Sequence, residues 1–238
     1  FDLADPARKH SRLGVADPRA VSQVADEISG AMFHCNCEND SLESFSKILD
    51  RIAADWGPLL KKLDWVSLGG GIAFTSPGYP VEQFAERLAA FSQRFGVQVY
   101  LEPGEAAITR STYLVTRVID IVKNDVDIAI VDAAVEPHLL DLLIYRTPAR
   151  MDLPRSGKHR YEIGGRTCLA GDVFGTFDFP EPLEIGSLVS FADTAGYSMV
   201  KKNWFNGVAM PSIVVRRLDG KIDVVRNFGY EEYQDALS

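Results

Sequence analysis

The chain has 238 residues, 46% hydrophobic and 24% charged, with 33 acidic against 25 basic side chains and a net charge of −8. That composition is ordinary for a soluble globular protein; the negative balance argues against nucleic acid as a partner, because phosphate binding needs basic patches, and it suits a cationic substrate. No run approaches the roughly 18 to 20 apolar residues of a membrane helix, and the three cysteines, Cys35, Cys37 and Cys168, are too few and odd in number for a disulfide framework and point to a reducing cytoplasm.

The opening Phe1-Asp2-Leu3-Ala4-Asp5-Pro6 has neither a basic n-region nor an apolar stretch, so it is not read as a signal peptide. Without an initiator methionine, it reads as the continuation of an upstream segment. Residues 11–15 and 30–34 read as short buried strands, and 18–29 as a helix started by Asp17 and Pro18. Asp40 and Glu43 make a capping-box pattern. Leu42, Phe45, Leu49, Ile52 and Trp56 then fall on one helical face. Trp65-Val66-Ser67-Leu68 is an apolar strand that runs into Gly69, Gly70 and Gly71. Pro80 opens a helix with the face Val81, Phe84, Leu88, Phe91 and Phe95, closed by Gly96. Val99-Tyr100-Leu101 is a strand that delivers Glu102 just before Pro103-Gly104. Strands and helices repeating every 30 to 35 residues predict βα units around a parallel sheet or barrel.

After about residue 107 the pattern turns β-rich. Residues 112–122, 127–132, 161–164, 188–191, 212–217 and 221–226 read as strands, Asp219-Gly220 as a hairpin turn, and 148–159 as an irregular surface loop. The fold class is therefore α/β plus all-β, divided at 107/108.

Several residues can carry chemistry. Three glycines after a strand can present backbone N–H groups to an anion, or simply form a tight turn. Glu102 at a strand end can hold a proton on a ring nitrogen, act as a base, or be a loop acid. Glu105 is a second acid beside it, and two nearby carboxylates invite a cation between them. His34 can stack on a planar ligand or be a structural histidine. The Cys35–Cys37 spacing has no second half, so a metal site is not expected. Cys168 lies in the glycine-flanked stretch Gly164-Gly165-Arg166-Thr167-Cys168-Leu169-Ala170-Gly171-Asp172, which reads as an exposed loop presenting a thiol and a carboxylate. Tyr197 follows Ala195-Gly196, and Phe205-Asn206-Gly207 can be a turn.

In this order, the His-bearing strand, the triple glycine, Glu-Pro-Gly, the Cys168 loop, Ala-Gly-Tyr and Phe-Asn-Gly resemble the fold-type III pyridoxal-phosphate decarboxylases. That family includes the ornithine and diaminopimelate decarboxylases. Glu102-Pro103-Gly104-Glu105-Ala106 and Thr167-Cys168-Leu169-Ala170-Gly171-Asp172 look most like its branch acting on carboxynorspermidine and carboxyspermidine. The resemblance spans essentially the whole chain. It implies a (β/α)8 barrel of the alanine-racemase type, with residues 1–107 as its C-terminal part. A β-domain over 108–238 would follow, some of its segments returning to the barrel. It also implies a cytoplasmic homodimer with shared active sites, pyridoxal 5'-phosphate as cofactor and a carboxylated polyamine as substrate. By the resemblance Gly69, Gly70, Gly71 and Tyr197 hold the cofactor phosphate. His34 stacks on the ring, Glu102 pairs with the ring nitrogen, and Cys168 returns a proton. Cys168 and Asp172 reach the partner's site, where Asp172 can bind a substrate ammonium group. Beyond what the resemblance implies, Glu105 reads as a ligand for a polyamine nitrogen or for the amino group at the reacting carbon, and Asp141 as a second acid for that task or as a solvated helix residue.

Two departures stand out. Many relatives place an arginine after Glu-Pro-Gly where this chain has Glu105. The family's cofactor-linking lysine has no match: Lys9, Lys201 and Lys202 lie in other settings. The first barrel strands and that lysine are therefore expected upstream of Phe1, and the chain alone is expected to be inactive. A decarboxylase of a basic amino acid or of meso-diaminopimelate is the rival enzyme. A non-catalytic binding protein of antizyme-inhibitor type is the rival of another class.

Overall fold

A computed structural model describes residues 3–154 and 156–237. The chain divides into two units, Phe1–Thr109 and Arg110–Ser238. No helix among the described residues is long and apolar enough to cross a membrane.

The first unit runs α1 (Pro18–Ser22), β1 (Gly30–Met32), α2 (Leu42–Leu60), β2 (Trp65–Ser67), α3 (Val81–Phe95), β3 (Gln98–Tyr100) and α4 (Glu105–Ile108). The strands form a parallel sheet in the order β1-β2-β3. Helices α2 and α3 cover it because their apolar residues recur at three and four: Phe45, Leu49 and Ile52 from one, Phe84, Phe91 and Phe95 from the other, all buried with Val66 and Leu68. Each such large side chain contributes roughly 1.5–3 kcal/mol of burial. Phe84 packs edge-on to Phe45 with ring centroids 4.9 Å apart, which keys α3 to α2. Gly96 ends α3 in the left-handed conformation at φ 71°, where a residue without Cβ is unstrained.

Residues 11–15 form no strand, and Leu13 and Val15 are exposed; the segment has no strand partner and Gly14 turns it at φ 71°. Helix α1 stops at Ser22, although Asp17 does cap it by accepting from the Arg19 N–H at 2.9 Å. The cap of α2 is Ser41, whose hydroxyl accepts from the Ser44 N–H at 3.2 Å. Asp40 is one residue too early for the role.

The second unit runs β4 (Tyr113–Asn124), β5 (Val126–Val131), α5 (Val135–His138), α6 (Asp141–Tyr145), β6 (His159–Gly164), β7 (Val173–Phe179), β8 (Leu188–Ala192), α7 (Tyr197–Lys201), a 3-10 turn (Phe205–Gly207), β9 (Ile213–Arg216), β10 (Ile222–Arg226) and α8 (Tyr230–Asp235). A five-stranded sheet has the order β7-β6-β5-β4-β8, antiparallel except for the β5–β6 pair. Its core is Val118, Val131, Ile163, Phe174, Val189 and Phe191, with Phe174 and Phe191 stacked at 4.3 Å. Strands β9 and β10 pair as a hairpin through Asp219-Gly220, with Gly220 at φ 85°. This unit is mixed rather than all-β, because short helices connect its strands. Strand β7 was not anticipated, and the 148–159 stretch pairs at Arg150 with Ala192; Arg155 lies outside the described residues.

Candidate active site

In the first unit the strand register decides what meets what. Met32, Ser67 and Tyr100 are paired across the sheet. The ladder then continues past the strand ends: Phe33 N–H donates to Ser67 O at 2.8 Å, Leu68 N–H to Tyr100 O at 3.0 Å and Glu102 N–H to Gly69 O at 2.9 Å. Two residues beyond each paired end stand His34, Gly69 and Glu102. Parallel strands deliver their carboxyl ends on one side, where ligands of α/β folds bind.

The triple glycine is a packing necessity at this junction. A Cβ on Gly69 would lie 2.5 Å from His34 Nδ1, one on Gly70 2.5 Å from the Glu102 carbonyl oxygen, and one on Gly71 2.5 Å from the Asn36 carbonyl oxygen. Two of the three also need positive φ, Gly69 at 69° and Gly71 at 76°. Among the described residues nothing accepts from the N–H groups of Gly70 and Gly71. The tight-turn reading is met, and the turn leaves these two N–H groups without an acceptor among the described residues.

Sequence reasoning missed Ser67. It is buried, its hydroxyl lies 2.5 Å from Glu102 Oε1, and it accepts from the Gly69 N–H at 3.2 Å. The one signal was a polar residue inside an apolar strand end. His34 and Glu102 are themselves exposed, and Glu105, which opens α4, is exposed as well. Cys35 and Cys37 are half-buried, and burial pushes both thiols above their ordinary range. A carboxylate, a flat imidazole and two unengaged N–H groups at one sheet edge form a donor set that fits a phosphorylated pyridine.

In the second unit Cys168 is exposed, and the Asn206 amide, held in the left-handed region at φ 55°, donates to its Sγ at 3.4 Å. Asp172 corrects the sequence reading. It is buried, not presented on an exposed loop: Oδ1 accepts from the Val135 N–H at 2.7 Å, and Oδ2 from the Thr167 N–H at 2.9 Å and the Thr167 hydroxyl at 2.6 Å. Gly165 has no side chain because the Asp172 carboxylate occupies that space. Asp172 therefore fixes the loop that carries Cys168. Tyr197 is exposed with the Lys201 ammonium 4.6 Å over its ring, and Lys201 pairs with Asp141 at 2.5 Å. The Asp141 charge already has a cation.

His138, another residue the sequence did not single out, is buried beneath this region. Its Nδ1 accepts from the Ala134 N–H at 3.2 Å, which leaves Nε2–H to donate to Ala209 O at 3.1 Å. Burial pushes its pKa below the ordinary 6.5; the Ala209 carbonyl, Asp172 and Asp132 oppose this and Lys202 adds to it. The unfolded chain thus takes up the proton first as pH falls. Stability is full above about 6.5 and is lost as pH falls from there through the native value. The urea midpoint is expected to drop as pH falls below about 6.5, and His138→Gln to lose that part of the slope. Equal slopes in the two proteins would rule this out.

The family model described as pyridoxal-dependent decarboxylase, C-terminal sheet domain, matches residues 15–195. The carboxynorspermidine/carboxyspermidine decarboxylase of Herminiimonas arsenicoxydans is 50% identical over 100% of this chain and 65% of its own length. The carboxyaminopropylagmatine decarboxylase of Synechocystis sp. is 34% identical over 99% of this chain and 62% of its own. The chain therefore spans just under two thirds of these curated relatives. Among solved structures, carboxynorspermidine decarboxylase complexed with norspermidine from Campylobacter jejuni superposes with TM-score 0.89 at 32% identity, over 97% of this chain and 66% of that one.

Proposed function

This chain belongs to the pyridoxal-dependent decarboxylase family, and from that premise we propose that the whole protein removes carbon dioxide from carboxynorspermidine and carboxyspermidine. The observation that carries the reading is the meeting of His34, Ser67, the triple glycine and Glu102 at the carboxyl ends of three parallel strands. In this reading the first unit contributes βα repeats to a (β/α)8 barrel, the second is the sheet domain, and two copies pair to share their sites.

Pyridoxal phosphate, when bound, supplies the sink for the electron pair that departing carbon dioxide leaves behind. The residues of this chain do the rest. The N–H groups of Gly70 and Gly71 bind the phosphate. His34 covers the ring face and excludes water from it. Glu102 holds a proton at the ring nitrogen, since a carboxylate favours the cationic form beside it. Glu105 binds a substrate ammonium group, and Asp141 remains a candidate for a second through exchange of its Lys201 partner. Cys168 Sγ gives its proton to the carbon that lost carbon dioxide and takes another from solvent; a donor at that point contributes about 10²–10⁴-fold. Asp172 serves by holding the Cys168 loop, not by meeting the substrate.

The test is carbon dioxide release by the whole protein with carboxynorspermidine, carboxyspermidine, carboxyaminopropylagmatine, meso-diaminopimelate and ornithine. Turnover is expected with the first two, at least about tenfold above the others in kcat/KM. Preference for meso-diaminopimelate or ornithine would refute the substrate assignment, and failure to bind the cofactor would refute the enzyme assignment.

A further inference from the structure

We propose that Ser67 is a positioning residue that keeps the shared proton on the cofactor nitrogen and off Glu102; this rests on the reading above. The direction of its hydrogen bonds follows from the geometry. Gly69 N–H points at Ser67 Oγ at 3.2 Å, so the oxygen acts as acceptor there. Its own proton then goes to Glu102 Oε1, 2.5 Å away. The relay runs from backbone N–H through hydroxyl to carboxylate, and it is seated on a residue that is 3% exposed.

Two consequences follow. The relay occupies Oε1, so Oε2 is the oxygen left for a ligand. The Glu102 main chain is fixed at the same time by its N–H bond to Gly69 O at 2.9 Å, so the carboxylate is held from two sides. Hydrogen bonding to the ionised form also favours that form. In a nitrogen–proton–carboxylate pair, Ser67 therefore biases the proton toward nitrogen. A serine methylene alone would fill the space but supply no such bias.

The experiment uses the whole protein loaded with 15N-labelled pyridoxal phosphate. The nitrogen chemical shift reports where the proton lies, and turnover is measured alongside. Ser67→Ala is expected to move the nitrogen resonance toward the neutral form and to lower kcat about tenfold, with KM within about twofold. Ser67→Thr, which keeps the hydroxyl, is expected to restore both. In a Glu102→Gln background, Ser67→Ala should leave the resonance where Glu102→Gln alone puts it. An unchanged nitrogen shift in Ser67→Ala, or no recovery with threonine, overturns the inference while the enzyme assignment stands. A wild-type protein that binds no cofactor overturns the assignment itself.

Discussion

Replacing Glu102 with glutamine is expected to lower decarboxylation by the whole protein on the order of 10³-fold, the scale of losing one preorganised electrostatic partner of the reacting charge. The substitution is chosen to leave the structure alone. Glutamine keeps the shape, its amide oxygen can still accept from the Ser67 hydroxyl, and the main-chain bond to Gly69 O does not involve the side chain. What disappears is the negative charge that, in the proposed reading, makes a protonated ring nitrogen favourable. The loss should appear in kcat, with KM little changed, because the interaction matters most as the electron pair develops. Single-turnover measurements with carboxynorspermidine check this; a variant within about threefold of wild type would remove Glu102 from the mechanism.

Replacing Asp172 with alanine is expected to cost about 4 kcal/mol of stability. Three donors lose their acceptor at once: the N–H groups of Val135 and Thr167 and the Thr167 hydroxyl. Each buried donor left unmatched costs about 1–3 kcal/mol, and the Thr167 hydroxyl can relieve its share by rotating. Asp172→Asn should cost about half as much, since its oxygen can serve one side only. Urea unfolding gives the free energies. Alkylation of Cys168 under native conditions gives the local effect, with faster labelling expected once the loop is released from Asp172. An alanine variant that loses less than about 1 kcal/mol and labels at the wild-type rate would show that the loop is held by something else.

What could be read from the residues was whatever depended on neighbours close in the chain. The α2 and α3 faces followed from spacing, because Phe45, Leu49 and Ile52, like Phe84, Phe91 and Phe95, are buried by the helix period itself. The glycine turn and the acid at the end of β3 were visible for the same reason. Strand β7 escaped because Gly175, at φ 137°, and a register shift at the facing Ile163 and Gly164 interrupt its alternation. Ser67 escaped because its partner is 35 residues away and is set opposite it only by strand register. Asp172 was misplaced because flanking glycines look like solvent-exposed loop, whereas its burial comes from Val135, 37 residues distant. Residues 11–15 had a strand's composition and no partner strand, and composition cannot supply one.

The alignment of His34, Gly69 and Glu102 at equal steps past Met32, Ser67 and Tyr100 makes this corner of the molecule intolerant of length change. A strand presents alternate residues to opposite faces, so deleting or duplicating one residue of 98–101 would turn the acid over while the hydrophobic layer behind it had to be rebuilt. Length changes are expected to be tolerated instead in connectors away from these three tips, such as the tip of the hairpin between β9 and β10, where only a two-residue turn has to be accommodated.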